Sequence, residues 1–339
     1  MSALVENCVN RVWYGGSLWY LPLLPLSWLY RMVLSARRRM YQWGMLRSHK
    51  CGVPVIVVGN ITAGGTGKTP IAIMLAQELQ HRGFSPGIVS RGYGGNVGSN
   101  PIIVDADSDP DIVGDESILM ARHGGCPVVV HPDRVAAASI LKEQGVNVVI
   151  SDDGLQHYRL ARDVEIAVVD GTRMLGNRHF IPAGPLRDSV ARLNSVHHVL
   201  VQTDSEDIRV PGLAENVPLS TFSLRPSAAH CLDDSESRSL DSFHGERVHA
   251  IAAVGNPDRF FDLLTTLGMD VVRHAFPDHA TLTAADLSFD EPYDVVMTEK
   301  DAVKCRDLAA ENRWYLAVEA MISDSTGVPL IDQIEKLVT

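Results

Sequence analysis

Apolar residues recur along this chain with two periods. Short unbroken runs such as VPVIVVGN, residues 53 to 60, have the length of a buried strand. Other stretches place apolar residues three and four apart, as in TPIAIMLAQELQHRG, where Ile71, Met74, Leu75 and Leu79 share one helix face. Pro70 lies in the first turn of that helix and Gly83 stops it. Further strand candidates are GIVSRG (87–92), PVVVHP (127–132), VNVVISDD (146–153), EIAVVD (165–170) and HVLVQTD (198–204), with a helix at DRVAAASILKEQG (133–145). Strands alternating with helices predict an α/β fold built on a doubly wound, largely parallel sheet.

The periodicity fades between about 205 and 245, where SAAHCLDDSESRSLDSFHGER reads as a connection between domains. Alternation resumes in VHAIAAVGNP, DRFFDLLTTLG, VVRHAFPDH, YDVVMTEKDAVK and WYLAVEA. We therefore expect a larger domain at 51–225 and a linker with a smaller α/β domain at 226–339, preceded by a distinct segment at 1–50. A chain of 339 residues, 45% hydrophobic, can bury two such cores. The sequence has no internal repeat and no low-complexity tract.

Charge sets the first segment apart. Residues 1 to 50 hold seven basic side chains against one acid, Glu6, so their net charge is +6 while the remainder carries −17. The overall −11 argues against a nucleic-acid binder. Four of the five tryptophans and four of the eight tyrosines also lie here. Nineteen uncharged residues separate Arg11 from Arg31, close to the ~20 that a membrane span needs, but Gly15, Gly16, Pro22 and Pro25 interrupt them. We read a helical, interfacial membrane anchor with a basic collar. A helix whose aromatics pack on the main domain and a true single span are the alternatives. Neither a basic opening region nor a cleavage site marks a secretory signal. The five cysteines are scattered singly, without metal-ligand spacing, as in a reducing compartment.

Candidate chemistry begins at GNITAGGTGKTP. A strand ending at Gly59, a glycine-rich turn and a helix starting near Thr69 aim backbone N–H groups at one point, which makes an anion site. The strict phosphate-loop pattern wants glycine at position 62, which is Thr62. The nucleotide-binding stretch is thus Thr62, Ala63, Gly64, Gly65, Thr66, Gly67, Lys68 and Thr69, with Lys68 for the terminal phosphates and the Thr69 hydroxyl for Mg²⁺. Two acids, Asp152 and Asp153, end the apolar run NVVI, where such a site needs a metal-binding carboxylate. Asp115 and Glu116 in GDES precede a helix and have an ordinary reading as dipole partners in its first turn. The Asp278-His279 pair in PDH and the glycines of SRGYGG could each be only a turn.

Read in order, these pieces resemble the tetraacyldisaccharide 4′-kinase family of lipid A biosynthesis. The matching stretches are VGNITAGGTGKTP, SRGYGG, GDES, HPDR, SDDGLQH, PAGPLRD, VGNP, FPDH and MTEKDAVK, covering residues 53 to 304 in family order. The family's own loop is similar in carrying threonine at the position of Thr62. This chain departs from it in having Ser117 after Asp115-Glu116, where proline is usual, and Ala280 after His279, where a second histidine often stands.

The resemblance implies a P-loop kinase with two α/β domains facing across a cleft. It would use ATP and Mg²⁺ to phosphorylate the 4′-hydroxyl of an acylated glucosamine disaccharide 1-phosphate at the cytoplasmic face of the bacterial inner membrane, with no obligate protein partner. It implies Asp115 as general base assisted by Asp278 and His279, Glu116 and Asp153 near the metal with Thr69, and Lys68 and Arg187 facing phosphate. Two other classes stay open on the residues alone. A membrane-associated switch ATPase would carry an extra lysine at position 63, where this chain has Ala63. A soluble ligase of the same nucleotide-binding superfamily would leave residues 1–50 without a purpose.

Overall fold

The computed structural model describes residues 3–205, 207–278, 280–323 and 329–338. Helices α1 (Ala3–Trp13) and α2 (Leu24–Gln42) flank a 3-10 turn (Leu18–Leu23). The helix breakers fall at the joints: Gly16 has positive φ between the two, Pro22 lies in the turn and Pro25 in the first turn of α2. Among the described residues no helix is long and apolar enough to cross a membrane.

The alternation then runs β1 (Val55–Gly59), α3 (Lys68–His81), β2 (Pro86–Ser90), β3 (Ile102–Val104), α4 (Pro110–Val113), α5 (Asp115–His123), β4 (Val128–Val130), α6 (Arg134–Glu143), β5 (Val148–Ser151), β6 (Val164–Asp170) and β7 (His198–Gln202). It continues through β8 (Leu219–Cys231), β9 (Ser237–Arg238), β10 (Arg247–Ala252), α7 (Pro257–Thr266), β11 (Asp270–Ala275), β12 (Asp294–Thr298), α8 (Glu299–Ala302), β13 (Arg313–Ser323) and α9 (Leu330–Val338). Among the described residues thirteen strands join one mixed sheet in the order β11-β10-β12-β13-β8-β7-β6-β1-β5-β2-β4-β3, with β9 on β8. Pairing is parallel except at β3–β4, β8–β13 and β8–β9.

Parallel strands covered on both faces need apolar residues at every position, and β1 shows why its run is unbroken. Ile56 and Val58 pack with Ile71, Leu75 and Leu79 of α3, while Val55 and Val57 pack on the opposite face with Ala137, Ala138 and Leu141 of α6. A separate cluster gathers Val248, Ala250 and Ala252 of β10 against Phe261 and Leu264 of α7. The backbone between the clusters is carried by β8 and β13.

The expectation of a connection between 205 and 245 needs correcting, because β8 occupies thirteen of its residues. Only part of β8 is buried, so its outward face is free to be polar and the apolar signal is lost. Pro226 would break a central ladder, but it stands where the β8–β13 register shifts, in a bulge that spares the missing N–H. The three-residue β3 was also not expected; a run that short carries no period.

One side of the N-terminal segment packs on residues 177–186, as the packing alternative expects. Trp13 Nε1 donates to Pro182 O at 3.0 Å, Ser27 Oγ donates to Phe180 O at 2.7 Å, and Tyr20 stacks on His179 with ring centroids 4.8 Å apart. The other side leaves Trp19, Trp28, Leu29, Met32 and Val33 more than half exposed.

Candidate active site

The absence of glycine at position 62 has a structural cause. Thr62 forms an isolated antiparallel bridge with Leu186, and Ala63 N donates to Pro185 O at 2.8 Å. A bridged residue is extended and needs no glycine. Positive φ falls instead at Gly64 (106°) and Gly67 (78°), the latter capping α3. Fully buried Asn60 braces the turn, donating through Nδ2 to Gly64 O at 3.3 Å and to Thr66 Oγ1 at 3.2 Å. A Cβ added at Gly64 or Gly65 would meet nothing within 4 Å, so the loop faces open space.

The chain after β5 delivers two carboxylates to that loop. Asp153, at φ 46°, lies 3.7 Å from Lys68 Nζ and accepts from Arg187 Nη1 at 3.0 Å. Burial works to raise the Asp153 carboxyl, but Lys68 and Arg187 outweigh it and hold it at about 2. Asp152 is buried and accepts from Ser90 Oγ at 3.2 Å; burial, with the charges of Glu116 and Asp153, pushes it up to about 7. Arg134, the arginine of HPDR, donates to the Asp152 carbonyl at 3.1 Å. Arg187 is itself fixed through its backbone, since its N–H donates to Ile61 O at 2.7 Å.

Asp115 begins α5 and is only 1% exposed. Gly114 before it has φ 83° and no room for a side chain, because a Cβ would stand 2.3 Å from Tyr93 O; the SRGYGG turn thus packs on GDES. Asp115 Oδ1 accepts from Glu116 N at 2.8 Å, and Oδ2 lies 2.8 Å from Lys304 Nζ. Lys300 Nζ sits 3.2 Å from Glu116 Oε1 and 3.5 Å from Asp278 Oδ1. Burial disfavours the Lys300 charge, yet Glu116, Asp115 and Asp278 raise its pKa above the usual lysine value. A Cβ on Gly255, in the VGNP turn, would lie 3.3 Å from Asp278 Oδ2 and 3.7 Å from Gly65 N. His279 lies outside the described residues.

A cleft of about 1820 Å³ runs over these groups, lined by the phosphate loop, Asp152, Asp153, Arg187, Glu116, Asp278 and Lys300, and reaching Trp13, Tyr14 and Tyr30. The structure thus gathers the loop, Glu116, Asp153, Arg187 and Asp278 around one space, with Asp115 buried beside Glu116 just behind its lining. Lys300 and Lys304 had no role in the sequence reading. Their spacing of four around the buried Asp301 in MTEKDAVK is the signal that would have pointed to them.

His123 of α5 bonds to Glu299 of α8 and so ties the two sides of the cleft. That bond, against burial, raises the His123 pKa from 6.5, so its contribution to stability is full below about 6.5 and is lost as pH rises through the raised value. We expect the thermal midpoint of His123→Gln to fall furthest below wild type at pH values under 6.5 and to converge with it as pH rises through the raised value. A pH-independent difference in midpoints would show that the charge contributes nothing.

The fold and the cleft define a P-loop enzyme that sets a nucleoside triphosphate loop opposite buried carboxylates. The family described as Tetraacyldisaccharide-1-P 4′-kinase matches residues 19–336. The chain is similar to the tetraacyldisaccharide 4′-kinase of Nitrosococcus oceani, 42% identical over 334 residues, covering 98% of this chain and 95% of that one. It is 47% identical over 313 residues to that of Pseudomonas fluorescens, covering 92% and 91%. Its structure is similar to the crystal structure of "apo" form LpxK from Aquifex aeolicus in complex with ATP, at a TM-score of 0.80 and 26% identity, covering 95% of this chain and 100% of that one. The chain belongs to the tetraacyldisaccharide 4′-kinase family.

Proposed function

We infer that the chain is an ATP-dependent tetraacyldisaccharide 4′-kinase of lipid A biosynthesis, moving the γ-phosphate of ATP to the 4′-hydroxyl of tetraacyldisaccharide 1-phosphate. The observation that carries this reading is that the phosphate loop and Glu116, the chain neighbour of the buried Asp115, line one cleft. In our assignment Asp115 accepts the proton of the 4′-hydroxyl as its oxygen bonds to the γ-phosphorus, the bond from that phosphorus to the bridging oxygen breaks, and ADP leaves. Asp278 and His279 are assigned to assist Asp115 as base. Lys68 and Arg187, the cations beside Asp153, are assigned to the phosphates, which residues 62–69 cradle.

Mg²⁺ fits the residues present. Asp152 Oδ1 and Asp153 Oδ1 are buried without a hydrogen-bond partner, and Mg²⁺ commonly takes one or two carboxylates, with phosphates and waters completing its shell. Asp152, Asp153, Glu116 and Thr69 would hold it, and it would neutralise charge on the phosphates. Transfer of ³²P from γ-labelled ATP to the lipid disaccharide tests the whole reading. Hydrolysis of ATP without labelled lipid, stimulated by a protein instead, would support the switch-ATPase reading and overturn ours.

We read residues 51–225 and 226–339 as the two units that form the cleft, with 1–50 as a membrane anchor that needs no protein partner. The exposed Trp19, Trp28, Leu29, Met32 and Val33, beside Arg31 and Arg37–Arg39, support attachment to the cytoplasmic face of the inner membrane. Removing residues 1–35 should move the protein from vesicle pellets to the supernatant and lower activity on vesicle-borne substrate. For the full chain, anionic lipid should strengthen attachment by about 1 kcal/mol per nearby arginine, and high salt should weaken it. Equal pelleting of truncated and full-length protein would place the anchor elsewhere.

A further inference from the structure

Asp115, at the start of α5, and Lys304, in the turn after α8, meet out of water. The carboxylate is 1% exposed and the lysine side chain 12%, with Oδ2 and Nζ 2.8 Å apart. Yet Lys304 Nζ makes no hydrogen bond within the described residues, because its approach to the carboxylate is off the bonding direction. The contact is therefore one of charge, which stabilises the anion. Glu116 N–H holds the other oxygen, Oδ1.

The lysine is placed by a rigid turn. Lys304 N donates to Asp301 O at 3.0 Å, and Asp301, fully buried, is tied through its carboxylate to Thr298 Oγ1 at 2.6 Å and to Ala253 N at 3.0 Å. Ala253 leads into the VGNP turn that meets the phosphate loop at Gly65.

We propose that Lys304 is a positioning residue for phosphoryl transfer: it fixes the Asp115 carboxylate and keeps it ionised, as a group that takes the proton of the acceptor hydroxyl must be. This rests on the reading of Asp115 as the base. It assigns Lys304 a part in turnover and none in nucleotide affinity, since its contact is with Asp115 and not with the loop.

A double-mutant cycle on the full-length enzyme separates the outcomes. Lys304→Met should lower kcat about 10- to 100-fold with ATP affinity unchanged, and Lys304→Arg should restore much of it, as expected for a group that orients a reacting one. In Asp115→Asn the added loss from Lys304→Met should vanish, because the lysine then has no base to act on. The doubly neutral variant also avoids leaving a buried charge unpaired, so it keeps the test alive if Lys304→Met folds poorly. Multiplying losses in the double variant, or a fall in thermal midpoint with kcat intact, would reduce Lys304 to a structural contact and overturn the proposal. Normal kcat in Asp115→Asn alone would instead overturn the reading of the base.

Discussion

Asp115→Asn should lower kcat on the order of 10²- to 10⁴-fold while the protein stays folded and binds ATP. Asparagine has the size and shape of aspartate and serves the start of a helix about as well, so the change spares the contribution Asp115 makes to α5. It removes the charge that would accept a proton. A sugar hydroxyl is a weak nucleophile, and in water-poor surroundings no solvent base substitutes for the lost carboxylate; Asp115 is 1% exposed. The substitution also strands Lys304, which loses its counter-ion, so a moderate fall in thermal midpoint should accompany the kinetic loss. Turnover, ATP affinity and thermal midpoint measured together decide the matter. Near-normal kcat with ATP bound would remove Asp115 from the chemistry and turn attention to Asp152, a buried carboxylate in the lining of the cleft.

Lys68→Ala should reduce turnover by at least about 10²- to 10³-fold, the scale seen when one preorganised donor to developing charge is removed. Lys68 is the ammonium of the phosphate loop, 11% exposed and 3.7 Å from Asp153. Its loss has two effects of the same sign. Bound triphosphate loses a countercharge that acts in low dielectric, and Asp153, now held down by Arg187 with less help, becomes easier to protonate. Unlike Asp115→Asn, this variant should bind ATP more weakly, and the contrast between the two is the informative measurement. Wild-type turnover in Lys68→Ala would end the assignment of residues 62–69 to the nucleotide.

Much of the site was legible as sequence because its local parts are contiguous. A strand, a turn and a helix N-terminus need only adjacent residues, so Gly64 to Thr69 announced an anion site directly. The acids after NVVI were visible for the same reason: an unbroken apolar run marks a strand buried on both faces, and the residues just beyond it emerge at the carboxyl end of the sheet. Their division of labour was not visible. Asp152 and Asp153 are neighbours, yet one is driven to about 7 and the other to about 2. The reason is that Lys68 and Arg187, from distant parts of the chain, reach Asp153, whereas burial dominates at Asp152.

By itself, then, the sequence determined the alternating α/β plan, the phosphate loop and the strand-end acids, since each depends on a local period or a local turn. Only the tertiary structure decided the rest. It made a thirteen-residue strand of a stretch read as a connection, because pairing with β7 and β13 supplies backbone bonds that leave no mark on hydropathy. It allowed threonine at position 62, because the bridge to Leu186, over a hundred residues away, holds that backbone extended. It also brought Lys304 to Asp115, and no period in the sequence records a buried ion pair between residues so far apart.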